Sequence, residues 1–161
     1  MASTRRSAAL YTPEQRRRRD STPWTFVQGV LAPLQFVAFA VSLVLILRTL
    51  TTGDGATAAA ISVVVKSMFL LAIMVTGAIW EKVVFGRYLF APAFFWEDVF
   101  SMLVLALHTA WLVAWSSDAL GARGRMLLAL AAYAAYVINA AQFLLKLRAA
   151  RLQAAVPGAP A

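Results

Sequence analysis

Four long apolar runs dominate this 161-residue sequence, at about residues 24–50, 57–80, 93–115 and 126–147. Each can cross the hydrocarbon core of a bilayer, which takes about 20 residues of α-helix. Membrane-spanning β-strands alternate in polarity over only about 10 residues, whereas these runs are continuously apolar. Because a backbone in lipid must satisfy its own hydrogen bonds, helices are the remaining solution. The runs predict an all-α membrane protein, a bundle of four transmembrane helices.

The basic residues around these runs predict three segments and their orientation. Residues 1–22 form a basic N-terminal segment with six arginines, residues 23–148 the transmembrane domain, and residues 149–161 a C-terminal tail. The first connection carries no Lys or Arg, whereas the second carries Lys82 and Arg87. Cytoplasmic loops are enriched in Lys and Arg. Two arginines in the third connection oppose this rule, but four spans after a strongly basic head still place both termini in the cytoplasm.

The basic N-terminal segment favours a membrane-lipid partner. Its arginines suit the anionic surface of a bilayer. No globular nucleic-acid-binding domain follows them, so nucleic-acid binding is not expected. Thr12-Pro13-Glu14-Gln15 predicts a short helix with a capping box, and a disordered tail is the alternative. The sequence has no cysteine, which excludes disulfides, thiolate metal sites and cysteine nucleophiles.

The third run carries Glu97, Asp98 and the only histidine, His108. Ionisable groups in a span cost about 2.5–3.5 kcal/mol each, so they persist where they pair, reach water or do chemistry. Glu97 and His108 are eleven residues apart, which puts them on one face but about 16 Å apart along the helix. A carboxyl held away from water can keep a proton and act as a general acid. The alternatives are acids that favour a helix start and a histidine that bonds to another helix.

The other spans carry fewer polar candidates. Glu81 marks the end of the second span, and Lys66 is expected to extend its ammonium toward the membrane surface. Asn139 and Gln142 could bind a ligand or only bridge helices. Two groups of aromatic residues are assigned to packing or to the interfacial aromatic belt. Tyr133 and Tyr136 are expected to be packing or interface residues, and the belt is Trp24, Trp80, Trp96, Trp111 and Trp115.

Two long strings carry a family resemblance. They read YTPEQRRRRD from residue 11 and IWEKVVFGRYLFAPAFFWED from residue 79, with Leu107-His108-Thr109 and Ala140-Ala141-Gln142-Phe143 further on. Over about residues 11–152 the chain resembles the 3-vinyl bacteriochlorophyllide hydratase family. The resemblance implies a lyase of bacteriochlorophyll biosynthesis, in the inner or intracytoplasmic photosynthetic membrane of a bacterium. It would add water to the C3 vinyl group of chlorophyllide a or 3-vinyl bacteriochlorophyllide a, giving a 1-hydroxyethyl group.

The chemistry of hydration then assigns roles within this expected site. Glu97 is the expected general acid, and Asp98 or Glu81 orients the water or returns the proton. No cofactor is expected, because the magnesium belongs to the substrate. Five further residues are assigned to substrate binding. They are His108 toward the magnesium, Lys82 and Arg87 toward the ring propionate, and Asn139 and Gln142.

Two other functions compete with a hydratase. A non-catalytic carrier or assembly subunit would bind chlorophyllide unchanged, and it would not need two adjacent acids. A small proton-coupled transporter would also carry a buried acid, but the first span has none. Since four helices are few to surround a macrocycle, a homodimer or a complex with other pigment-biosynthesis enzymes is also expected.

Overall fold

The computed structural model describes residues 10–154, so Arg5, Arg6 and the end of the tail lie outside the described residues. This part of the chain forms five α-helices, of which the last four are long and apolar enough to cross a membrane. The predicted fold class, an all-α membrane protein with four transmembrane helices, is therefore confirmed. The helices are α1 Pro13–Ser21, α2 Pro23–Thr52, α3 Ala56–Phe85, α4 Phe95–Ser116 and α5 Ala122–Ala154.

Caps and glycines set the helix boundaries. Thr22 caps α2, whose first residue is Pro23, and Gly53 ends it in the left-handed conformation. Gly86 ends α3 at a φ of 85°, a backbone conformation that only glycine adopts without strain. The helix therefore runs five residues past the predicted end of its span at Trp80. This extension brings Glu81 onto the last turns of α3.

The short helix α1 supports the helical alternative for the N-terminal segment. The Thr12 hydroxyl accepts from the Gln15 N–H at 3.2 Å, and the Gln15 side chain accepts from the Thr12 N–H at 2.9 Å. This capping box is the one that the sequence predicted. Tyr11 stacks on Phe85 with ring centroids 5.8 Å apart. This contact fixes the basic helix beside the end of α3.

The four long helices pack as two hairpins, α2 along α3 and α4 along α5. The apolar core lies between them, and hydroxyl groups tie it together. Ser42 and Ser62 lie 2.7 Å apart across α2 and α3, and the Tyr133 hydroxyl of α5 donates to Ser42 at 2.6 Å. Tyr133 and Tyr136 are both buried, so of the two expected roles, packing or interface, they have the packing role.

The predicted aromatic belt is wrong for Trp111. This side chain is fully buried, and its indole N–H donates to the Arg125 carbonyl at 2.9 Å. Trp80 packs edge-on against Phe85 and Phe94 and donates to Thr25. Both interface residues and core residues occur near the ends of spans. The sequence pattern alone therefore could not separate the two kinds of tryptophan.

We expect Tyr133→Phe to destabilise the bundle by about 0.6 kcal/mol, the average for a hydrogen bond between transmembrane helices. The substitution removes the hydroxyl that joins α5 to α2 and leaves the ring in place. The free energy of unfolding would be measured in bicelles. Tyr136→Phe is the matched control, because no hydrogen bond to the Tyr136 hydroxyl is found in the described part of the chain. Equal stability of the two variants would contradict the role given to this bond.

Candidate active site

Glu81 and Asp98 form a buried carboxyl pair between the end of α3 and the start of α4. Glu81 is 3% exposed and Asp98 is 7% exposed. The two carboxyl groups are neighbours close enough to act on each other's charge. Two ionised carboxylates side by side repel each other, so this arrangement favours a proton on one of the two groups. The pair is thus a place where a proton can be held inside the protein.

The loop between α3 and α4, residues 86–94, closes over this carboxyl pair. Glu81 accepts from the Ala91 N–H and Asp98 accepts from the Phe90 N–H, both at 2.7 Å. Phe90 has a φ of 59°, a left-handed conformation that costs a residue other than glycine about 1–3 kcal/mol. The bond to Asp98 helps to offset that cost. The acids therefore shape the loop as well as lying beneath it.

Glu97 lies on a different side of α4 from Asp98, because consecutive helical residues point about 100° apart. Its carboxylate accepts from the Lys146 ammonium of α5 at 2.6 Å. Lys146 also donates to the Ala93 carbonyl. Glu97 is therefore paired with a cation, whereas Glu81 and Asp98 are paired with each other.

One turn along α4, a second polar link joins the same two helices. The Asn139 side-chain N–H donates to the Ser101 hydroxyl at 2.8 Å. The Oδ1 atom of Asn139 and the Oε1 atom of Gln142 are buried and have no hydrogen-bond partner among residues 10–154. Asn139 and Gln142 thus lie on the part of α5 that faces the start of α4, and one acceptor oxygen of each is unpaired within the described residues.

His108 lies apart from the acids, near the middle of the bundle. Its Nδ1–H donates to the Val104 carbonyl at 2.8 Å, and its Nε2 accepts from the Lys66 ammonium at 3.2 Å. Neither ring nitrogen is free in this arrangement. A contact with the substrate magnesium through Nε2 would require Lys66 to move away, so the geometry argues against the magnesium role predicted for His108.

The expectation that Lys66 extends to the membrane surface is wrong. Its residue is 0% exposed, and its ammonium lies 4.0 Å from the centre of the Tyr136 ring and 5.6 Å from that of Tyr133. The aromatic faces and His108 together replace water around the ammonium. No sequence signal distinguished this lysine, because the partners come from two other helices.

Lys82 and Arg87 lie on the exposed rim of the α3–α4 loop. Lys82 donates to the Gly86 carbonyl at 2.9 Å, and its ammonium lies 5.3 Å from the centre of the Tyr88 ring. Arg87 points toward the Phe90 carbonyl at 3.4 Å. Both cations therefore stand at the same end of the bundle as the acids, but at its surface.

Two cavities in residues 10–154 lie away from the acids. One cavity of about 140 Å³ lies at the opposite end, between Ala56, Trp115 and Arg125. A shallow apolar hollow of about 350 Å³ lies on the outer side of α2, around Val41 and Val44. Ligand pockets usually measure about 300–1,000 Å³ and are enclosed. Neither of these two cavities therefore encloses a macrocycle beside the acids.

An exposed aromatic cluster borders the loop instead. It comprises Tyr88, Phe90, Phe95 and Trp96, which are between 36% and 65% exposed. Phe90 lies 5.8 Å from Phe95, and Phe95 lies 5.5 Å from Trp96, centre to centre. The backbone N–H of Phe90 touches Asp98. The rings are tilted or edge-on to one another, so the cluster is an exposed apolar surface rather than a flat one, and its inner edge reaches Asp98.

Fold and site together define a class: a small multi-pass membrane protein with buried carboxyl groups, of the kind that proton transfer requires, at one end of its bundle. Comparison with known proteins places it further. Residues 11–149 match the family described as 2-vinyl bacteriochlorophyllide hydratase (BCHF). The chain belongs to this family, which confirms the resemblance seen in the sequence. No solved structure matches it.

Two curated relatives carry the name 2-vinyl bacteriochlorophyllide hydratase. The protein from Rhodobacter capsulatus is 67% identical over 147 residues, which cover 91% of this chain and 85% of the relative. The protein from Cereibacter sphaeroides is 65% identical over 144 residues, which cover 89% of each chain. The similarity therefore extends over all four transmembrane helices and the carboxyl pair.

We expect the Glu97–Lys146 contact to show as coupling between α4 and α5. Lys146→Met leaves a buried carboxylate without its cation and should lower the free energy of unfolding by about 1–3 kcal/mol. Adding Glu97→Gln removes the unpaired charge, so the double variant should recover part of this loss. Unfolding of the two single variants and the double variant in bicelles would measure the coupling energy. Strictly additive effects would show that the contact is not made.

Proposed function

We propose that this protein is a hydro-lyase that adds water to the vinyl group of a bacteriochlorophyllide-type tetrapyrrole in bacteriochlorophyll biosynthesis. Membership of the family supports the reaction. The name of the relatives uses the older numbering of the macrocycle, in which the vinyl-bearing carbon is position 2. The current numbering calls the same carbon position 3. The observation that carries the mechanism is the carboxyl pair of Glu81 and Asp98.

The carboxyl pair is the proposed proton donor. Hydration places a proton on the terminal vinyl carbon, and the positive charge that forms on the inner carbon spreads into the macrocycle. Glu81 and Asp98 can hold one proton between them, away from water and beside the loop. This assignment differs from the predicted one, in which Glu97 was the acid, because Glu97 is bound to the ammonium of Lys146.

Glu97 is better suited to the second half of the reaction. A carboxylate held by an ammonium can still accept a proton from water as the oxygen bonds to the inner vinyl carbon. Asp98 of the acid pair and the base Glu97 then point about 100° apart from the first turn of α4. The net change is the addition of one H and one OH across the double bond, with no redox step. The proposed reaction therefore needs no cofactor, since the magnesium belongs to the substrate.

The macrocycle is proposed to lie against the exposed aromatic cluster, with its vinyl arm inserted beneath the loop. Flat apolar rings stack on aromatic side chains, and the cluster adjoins the carboxyl pair. The propionate would stay in water near Lys82 or Arg87 at the rim. A macrocycle at the edge of a four-helix bundle leaves its outer face to lipid or to a second protein. This is the ground for the expected homodimer or complex with other pigment-biosynthesis enzymes.

The reaction is tested with membranes that contain this protein alone and 3-vinyl bacteriochlorophyllide a or chlorophyllide a. Hydration shortens the conjugated system, so absorption moves to shorter wavelength, and the product gains the mass of one water. The competing carrier function would bind the pigment and change neither. Pigment recovered with unchanged mass from membranes that bind it would support the carrier.

We expect Asp98→Asn and Glu81→Gln to reduce hydration by about 10²–10⁴-fold, the usual contribution of a positioned acid or base. The amides keep the shape of the carboxyl groups but cannot deliver the proton. Pigment binding, followed by absorption, should persist in both variants. Asp54→Asn in the exposed first connection is the matched control and should keep full activity. Wild-type turnover in both variants would remove the pair from the acid role.

The proposed orientation places both termini and the α3–α4 loop on the cytoplasmic side of a bacterial inner or intracytoplasmic membrane. The absence of cysteine from the sequence allows a clean test. We expect an impermeant thiol reagent applied to intact cells to label Asp54→Cys in the first connection and not Glu14→Cys in α1. Labelling of Glu14→Cys alone would reverse the orientation.

A further inference from the structure

Two buried amide oxygens stand out because nothing in residues 10–154 donates a hydrogen bond to them. They are Oδ1 of Asn139, a residue that is 8% exposed, and Oε1 of Gln142. A buried acceptor without a donor costs about 1–3 kcal/mol. The two residues are three apart on α5, so their Cβ atoms are neighbours about 5–6 Å apart. One small donor could therefore serve both oxygens.

The surroundings of these oxygens place them beside Glu97. Asn139 is tied to Ser101, and Lys146 is tied to Glu97, so two polar links cross from α5 to α4. Gln142 lies between Asn139 and Lys146 along α5. Because the two helices are antiparallel neighbours, it must lie opposite the stretch of α4 between Glu97 and Ser101. The unpaired acceptors thus occupy the same layer as the proposed base.

We propose that Asn139 and Gln142 bind the water that is added to the substrate. The inference rests on the proposed hydratase function and specifies where its second substrate is held. A water at this place directs one O–H to the amide oxygens and the other to the Glu97 carboxylate. Its lone pairs then remain free for the inner vinyl carbon. Amide oxygens fix its direction but cannot take its proton, so that proton passes to Glu97.

The chemistry of the macrocycle supports water rather than the pigment as the occupant. A chlorophyllide edge presents apolar carbon, carbonyl oxygens and a carboxylate, none of which donates a hydrogen bond. Two bare acceptors would repel these groups, whereas water has two donors to offer. The predicted substrate-binding role of Asn139 and Gln142 is thereby narrowed to the water.

A proton from the Glu81–Asp98 pair forms a C–H bond at the terminal carbon, and the vinyl π bond breaks. The water oxygen then bonds to the inner carbon and releases one proton to Glu97. Before the water adds, the first step can reverse. In D₂O, the methyl group formed from the terminal carbon can then lose H instead of D, which leaves deuterium in unreacted vinyl substrate.

This reversibility separates binding of water from delivery of the proton. Gln142→Met removes one acceptor, keeps the length of the side chain and breaks no hydrogen bond found in the described helices. Membranes with the variant would be incubated with 3-vinyl bacteriochlorophyllide a in D₂O, and mass spectrometry would follow both the hydrated product and deuterium in the recovered vinyl substrate. Gln28→Met is the matched control, because it makes the same substitution on a different helix, α2. The Gln28 amide donates to Thr76 of α3 at 2.7 Å, so this variant also shows whether loss of an interhelical hydrogen bond by itself affects hydration. Gln142→Glu is the conservative variant that retains acceptor oxygens.

For Gln142→Met we expect hydration to fall about 100-fold, the scale on which misplaced reactants lose rate. Deuterium exchange and the Kd for pigment should stay close to wild type, Gln28→Met should hydrate normally, and Gln142→Glu should hydrate faster than Gln142→Met. Normal hydration by Gln142→Met would overturn the inference and leave the hydratase function intact. So would a parallel loss of exchange or of pigment binding, because the residue would then serve the acid or the macrocycle. Absence of both hydration and exchange in wild-type membranes would instead contradict the proposed function itself.

Discussion

The structure depends on the need to give every ionisable group within the bundle a partner. Three acids lie where α3 ends and α4 begins, and each is less than 10% exposed. Glu81 and Asp98 accept backbone N–H groups from the loop that joins these helices, and Glu97 binds the ammonium of Lys146. Ionisable groups in a span are costly unless they are paired. These contacts remove that cost. They also fix the loop, the start of α4 and the end of α5 relative to one another.

This arrangement separates two kinds of carboxyl group within one helical turn. Glu81 and Asp98 lie against each other, so a proton between them is the simplest way to make their contact favourable. Glu97 lies against the Lys146 ammonium, and this cation favours the charged form of the carboxylate. An addition reaction that needs a donor and an acceptor of protons finds both on adjacent residues of α4. Their directions differ by about 100° around the helix, so they can act on different sides of a bound vinyl group.

The sequence was sufficient to predict the helices, because four continuous apolar runs leave few other solutions in a bilayer. It was also sufficient to find Glu81, Glu97 and Asp98, since acids are rare in such runs. It could not predict which acid would meet which partner. Lys146 lies near the end of the last apolar run, where a basic residue is typical of a cytoplasmic flank, and its contact with Glu97 depends on the packing of α5 against α4. Hydropathy ended α3 at Trp80, because a buried acid and a lysine look like a helix exit until their partners are known. Lys66 was misplaced for the same reason, as its aromatic neighbours come from a distant part of the chain.

The separation of the acids from Lys66 and His108 bears on how a tetrapyrrole is bound. Glu97 and His108 share one face of α4, as their spacing predicts, but His108 is buried inside the bundle and its Nε2 is bonded to Lys66. The acids instead lie at the end that carries α1, Lys82, Arg87 and the exposed aromatic cluster. Chlorophyllides are amphipathic, with an apolar ring and a charged propionate. Such a molecule rests most favourably at the membrane interface, with the ring in lipid and the carboxylate in water. In the proposed binding mode, the vinyl arm enters a dry, acidic interior at the end of the bundle, while the rest of the ligand stays where its own solvation is best. In that mode a four-helix bundle too small to enclose the macrocycle would still isolate the two carbon atoms that react.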